Sequence, residues 1–137
     1  MSAAVSHRAG ILGSRPVRGS GRGHSGLGTR PLGLAEGRDG LLHAPALAEG
    51  DRPLPLLVML HGAGATAHDV MPMVSGEADA RSVLVLAPDS RGATWDVILR
   101  GYGPDVAFLD RALEDVFRDH SVDPARIAIA GFLDGAS

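Results

Sequence analysis

A chain of 137 residues with a formal net charge of −3 and no cysteine has no disulfide framework, no thiolate metal site and no cysteine nucleophile. All 13 of its basic side chains are arginine, and without a lysine it holds no Walker phosphate loop. There is no signal-peptide h-region and no apolar stretch long enough to span a membrane, so the cytoplasm is the default compartment.

Before Glu36 the chain carries five arginines and no acid, is rich in Gly, Ser and Pro, and shows no sustained periodicity. Residues 1–36 are therefore expected to form a disordered basic head, with an organelle transit peptide as the alternative reading. Residues 37–137 are the folded domain, and roughly 100 residues suffice by size for a small core.

Pro55-Leu56-Leu57-Val58-Met59-Leu60 is a continuous apolar run of the kind buried on both faces of a sheet. It enters His61-Gly62-Ala63-Gly64-Ala65, whose small side chains let a ligand oxygen approach bare backbone. A helix should follow, weakened by Pro72 and by Ser75-Gly76. A second apolar run, Ser82 to Ala87, ends at Pro88-Asp89. Gly103-Pro104-Asp105 opens another helix, with proline where no N–H is needed and an acid favoured by the helix dipole. Its apolar stripe is Val106, Leu109, Leu113, Val116 and Phe117, and Glu114 and Arg118 are spaced as an i,i+4 ion pair on the wet side. Asp123-Pro124 stops the helix. Arg126 to Ala130 is a third apolar run and leads into Gly131-Phe132-Leu133-Asp134-Gly135. Strand, helix, strand, helix, strand is an α/β pattern with a parallel-sheet core.

With serine at position 133 the terminal pentapeptide would read G-x-S-x-G, the elbow that lifts a nucleophile above the sheet in α/β-hydrolases. From about Gly37 onward the chain resembles the N-terminal half of such a hydrolase, within the phospholipase/carboxylesterase branch. The resemblance rests on Leu60-His61-Gly62-Ala63-Gly64, on Ala87-Pro88-Asp89-Ser90-Arg91-Gly92 with Trp95-Asp96, and on Asp123-Pro124-Ala125-Arg126 leading to the elbow and Ala136-Ser137.

It implies a partial α/β-hydrolase fold ending at the nucleophile elbow, and a parent chemistry in which serine hydrolyses small carboxylic esters without cofactor or metal. Ala63 and Asp134 would supply the oxyanion-hole N–H groups, His61, Gly62 and Gly64 would support that loop, and Gly131 and Gly135 would be the elbow glycines. Leu133 occupies the nucleophile position and has no nucleophilic atom. The family's acid and histidine follow the nucleophile in chain order, and only two residues follow Gly135. The expectation is a truncated, catalytically inactive copy. Its elbow strand would be left at a sheet edge, open to self-association.

The same residues admit other chemistries. Gly62, Gly64 and Ala67, with Asp89 about twenty residues on, fit a dinucleotide-binding Rossmann fingerprint, although that reading leaves the elbow unexplained. His61 is a loop residue packed under the sheet rather than a proton shuttle, and Trp95 either lines an acyl pocket or plugs a core edge. Ser90 and Ser137 are hydroxyls outside any elbow, and Asp89, Asp96 and Asp134 are acids near strand ends. The six histidines show neither H-x-H nor H-E-x-x-H spacing. No nucleic-acid partner is expected.

Overall fold

The computed structural model describes residues 12–16, 27–45, 52–92, 95 and 104–131. They form strands β1 (Gly28–Pro31), β2 (Gly40–Ala44) and β3 (Leu54–Leu60), helix α1 (Ala67–Arg81), β4 (Leu84–Pro88), helix α2 (Pro104–Asp119) and β5 (Val122–Gly131). The strands make one mixed sheet in the order β1-β2-β4-β3-β5. β3 runs parallel to β4 and to β5, while β2 is antiparallel to both β1 and β4. The architecture is α/β.

Alternation along the strands divides the core into two layers. Leu84 and Leu86 of β4 and Leu54, Leu56 and Val58 of β3 pack with Ala112, Leu113, Val116 and Phe117 of α2. Val85, Ala87 and Met59 point the other way, onto Ala67, Val70, Met71 and Ala78 of α1. Strands β3 and β4 thus read as unbroken apolar runs because a helix covers each face. Gly40 allows β2 to join them. At φ +145°, a Cβ there would lie 2.7 Å from the Ala87 carbonyl oxygen, so no larger residue fits.

Several expectations need correction. The head read as disordered contains β1, which pairs with β2 from Gly28 opposite Ala44 to Pro31 opposite Leu41. Short half-polar strands of this kind carry little periodicity and are fixed by the partner strand. The head also contributes a docked strap. Gly13 N–H and Ser14 N–H donate to the two Asp110 carboxylate oxygens at 3.0 and 2.7 Å, Ser14 Oγ donates to Asp110 O at 2.8 Å, and Leu12 packs on the α2-side core. Arg118 pairs with Asp115 (2.8 Å) and Asp119 (3.2 Å) rather than Glu114, because these shorter acids sit closer to the guanidinium. That bond holds the Asp119 carboxyl below its usual value.

β5 was expected at the edge, and it pairs only with β3 among the described residues. Its apolar run is not buried: Ile129 is 59% exposed and Ile127 39%. The strand begins at Val122 opposite Leu54, yet Leu56 is already opposite Ile127. Three extra residues therefore loop out around Pro124, where Asp123 accepts from Ala125 N–H and Arg126 Nε, each at 2.9 Å. Proline cannot donate to the ladder, which is why the register breaks there.

Asp110→Ala is expected to strip hydrogen-exchange protection from the Gly13 and Ser14 amides while leaving β3 and β4 amides unchanged. The stability loss in denaturant titration should be about 1–2 kcal/mol, the scale of charge-assisted hydrogen bonds.

Candidate functional site

The loops after β3 and β4 meet the β1–β2 loop at the C-terminal end of the parallel strands, where ligands bind in open α/β sheets. After β3 the chain turns at once: Ala65 N–H donates to Gly62 O at 3.1 Å, and Gly64 sits at the third turn position with φ +73°. A turn with positive φ at that position calls for glycine. Ala63 and Gly64 are exposed, and their N–H groups make no hydrogen bond among the described residues.

Beneath the turn lies His61, fully buried. Its Nε2 accepts from Ser90 N–H at 2.9 Å, and Nδ1 lies 2.7 Å from Gly62 O. The backbone donor at Ser90 fixes Nε2 as acceptor and leaves the ring proton on Nδ1, facing Gly62. Both ring nitrogens are therefore engaged within the protein. Trp95 closes the other side. Its ring stacks on His61 at 4.7 Å between centroids, and its indole N–H donates to His61 O at 2.8 Å. Of the two roles weighed for Trp95, the packed one matches this geometry.

Asp89 and Ser90, at the end of β4, are buried and fully bonded. Asp89 Oδ1 accepts from Ala67 N–H at 2.7 Å, at the first turn of α1, and Oδ2 accepts from Asp39 N–H at 3.0 Å. Thr66 and Asp69 complete the helix start as a reciprocal capping box. Ser90 Oγ donates to Gly92 O at 2.7 Å and receives a bond from Arg38, so it is no latent nucleophile. Arg91 is anchored by its neighbours: Arg91 N–H donates to Asp105 Oδ1 at 2.6 Å, and the guanidinium carbon lies 3.5 Å from the Phe108 ring centroid. Burial pulls Arg91 below the usual arginine value, opposed by the nearby Asp105 and Asp89 carboxylates.

The sequence reading missed Arg38 and Asp39. Asp39 organises the β1–β2 loop by accepting from Gly33, Leu34 and Ala35 N–H at 2.8, 2.9 and 3.2 Å. Arg38 reaches across to both other loops. Nε donates to Ser90 O at 2.5 Å, and Nη2 donates to Ala65 O at 3.2 Å and Ser90 Oγ at 3.1 Å. The signal was the Arg38-Asp39-Gly40 turn sequence directly before a strand, a place where an aspartate side chain commonly bonds nearby backbone. Beside this joint lies a cleft of about 490 Å³ lined by Arg38, Asp39, Thr66, His68 and Asp89 among others.

Gly131 ends β5 directly opposite Leu60, the residue before His61. Gly131, read from the sequence as the first elbow glycine, therefore lies beside the start of the His61–Ala65 turn. Leu133, Asp134 and Gly135, and likewise Asp96 and Ser137, lie outside the described residues. No group of potential metal ligands converges among the described residues, and none of their helices is long and apolar enough to cross a membrane. Compared with protein-family models and with curated proteins, the chain matches none.

Asp89→Asn should be costly despite its near-identical shape, because one of the two backbone N–H donors would then face an amide donor. A loss of about 1–3 kcal/mol is expected for leaving such a group unsatisfied, measured as a lowered urea midpoint with unchanged slope.

Proposed function

We propose that this chain is the oxyanion-loop half of an α/β-hydrolase of the carboxylesterase/phospholipase kind, with Leu133 in place of the nucleophile, and that it does not turn esters over. The observation that carries the reading is the parallel pairing of β3 with β5 that sets Gly131 against Leu60. It brings Gly131 and the turn holding Ala63 to the same end of the parallel strands, which supports reading Gly131 as the start of an elbow. The turn also follows the third strand in chain order and precedes the first helix, the position of the oxyanion loop in these hydrolases. Ala63 N–H, exposed and without a partner among the described residues, is the donor such a loop supplies, and Asp134 N–H would be the second.

Chemistry then stops at position 133. A leucine cannot attack a carbonyl, and loss of the serine alone costs on the order of 10⁶ in kcat in a comparable serine hydrolase. His61 offers no replacement base, since Ser90 N–H and Gly62 O hold its ring nitrogens. The dinucleotide alternative needs an Asp89 oxygen for a ribose hydroxyl, whereas both oxygens accept backbone N–H groups.

Purified protein on short-chain p-nitrophenyl esters should match a heat-killed control, and a fluorophosphonate probe should leave it unlabelled. Turnover blocked by that probe would refute the reading. Leu133→Ser is expected to label far more slowly than an ordinary serine esterase, because His61, the histidine beneath the turn, has both ring nitrogens engaged and cannot take the hydroxyl proton.

The edge of β5 supports a second expectation, association with another copy of the chain. A strand whose outer backbone has no partner among the described residues, with exposed Ile127 and Ile129, is a template for intermolecular pairing. Size-exclusion chromatography should show oligomers that Ile129→Lys shifts toward monomer. A wild-type protein that elutes as monomer at every concentration would exclude this.

A further inference from the structure

We infer that Arg38 is the positioning residue of the His61–Ala65 turn: one guanidinium, projected from the loop before β2, fixes the turn's backbone so that the Ala63 and Gly64 N–H groups are held outward, ready for a carboxylate or oxyanion. The meaning of those N–H groups rests on the hydrolase-type reading. The positioning itself rests only on geometry.

Arg38 bonds both the turn and the segment after β4 on which it sits. Nη2 takes Ala65 O at 3.2 Å, at the turn's exit. Nε and Nη2 take Ser90 O at 2.5 Å and Ser90 Oγ at 3.1 Å. Ser90 N–H in turn donates to His61 Nε2, whose Nδ1 faces the Gly62 carbonyl that also accepts from Ala65 N–H. The loop closes on itself: Arg38, Ser90, His61, Gly62, Ala65 and back to Arg38. Gly62 O is thereby drawn inward, so the N–H of the same trans peptide, on Ala63, points the opposite way, and Gly64, next along the turn, is exposed. A planar guanidinium suits this task because its fork spans two acceptors at once, whereas a lysine ammonium presents a single centre on a flexible stem. Arg38 is itself held by its neighbour, since Asp39 is tied to Asp89 by two hydrogen bonds, Asp39 N–H to the Asp89 carboxylate Oδ2 and Asp89 N–H to Asp39 O, both at 3.0 Å.

The test is amide hydrogen exchange with acetate titration, followed by NMR on the full chain. In the wild-type protein the Ala65 and Ser90 amides should be protected, and acetate should shift the Ala63 and Gly64 amide resonances. Arg38→Gln is expected to lower protection at Ala65 and Ser90 by about tenfold or more, the scale of a local opening, and to abolish the acetate shifts, while Val58 and Leu86 amides keep their protection. Arg38→Lys should fall between the two, and it carries the test on the same amides if Arg38→Gln does not fold. Unchanged protection at Ala65 and Ser90 in both variants would overturn the inference. If protection falls as expected but acetate shifts neither resonance in the wild-type protein, Arg38 keeps its positioning role and the oxyanion reading of the turn fails.

Discussion

The carboxylate of Asp89 is the contact on which the rest of the loop edge depends. It is 6% exposed, and its two oxygens accept from the first N–H of α1 and from Asp39 N–H. A buried carboxylate is tolerable only when hydrogen bonds replace its lost water, and two backbone donors do that here. The same two bonds set the entry of α1 and bring the β1–β2 loop onto the end of β4. Remove the carboxylate and the helix start, the Arg38 joint and the seat of His61 lose their common reference.

Much of the scaffold was legible from apolar runs and from helix chemistry. β3 and β4 declared themselves because both faces are covered, so no polar residue interrupts them. The start of α2 at Pro104 followed from proline and acid in a first turn. α1 was harder to read, with Pro72 and Gly76 inside it. Its reciprocal Thr66–Asp69 cap and the burial of Val70, Met71 and Ala78 outweigh both breakers, the usual outcome when tertiary packing competes with intrinsic propensity. β1 and β2 were not legible. β2 has only five residues, and one of its buried positions is His43, which bridges Thr29 (2.7 Å) and Asp79 (2.8 Å) and so ties β1 to α1. Polar ties between distant segments leave no periodic trace in a sequence.

The candidate site divides along the same line. The glycines and alanine of the turn were visible because their smallness is itself the signal. Arg38 was invisible because its importance lies in reach: its partners Ala65 and Ser90 are 27 and 52 positions away. Asp89 was noticed for its place after a strand but given a solvated or ligand-binding role. Only the fold shows that its oxygens are spent on backbone.

The register step in β5 also sets where a hazard begins. A segment that stacks into cross-β fibrils needs about six or seven residues of high β-propensity without proline. The strand spans ten residues, Val122 to Gly131, but Pro124 and the loop it forces, pinned by the Asp123–Arg126 pair at 2.9 Å, split that span near its start. What lies beyond starts at Ile127 and is entered through a charged arginine. Pro124 and Arg126 thus act as gatekeepers, keeping the sticky part of this edge from starting before Ile127.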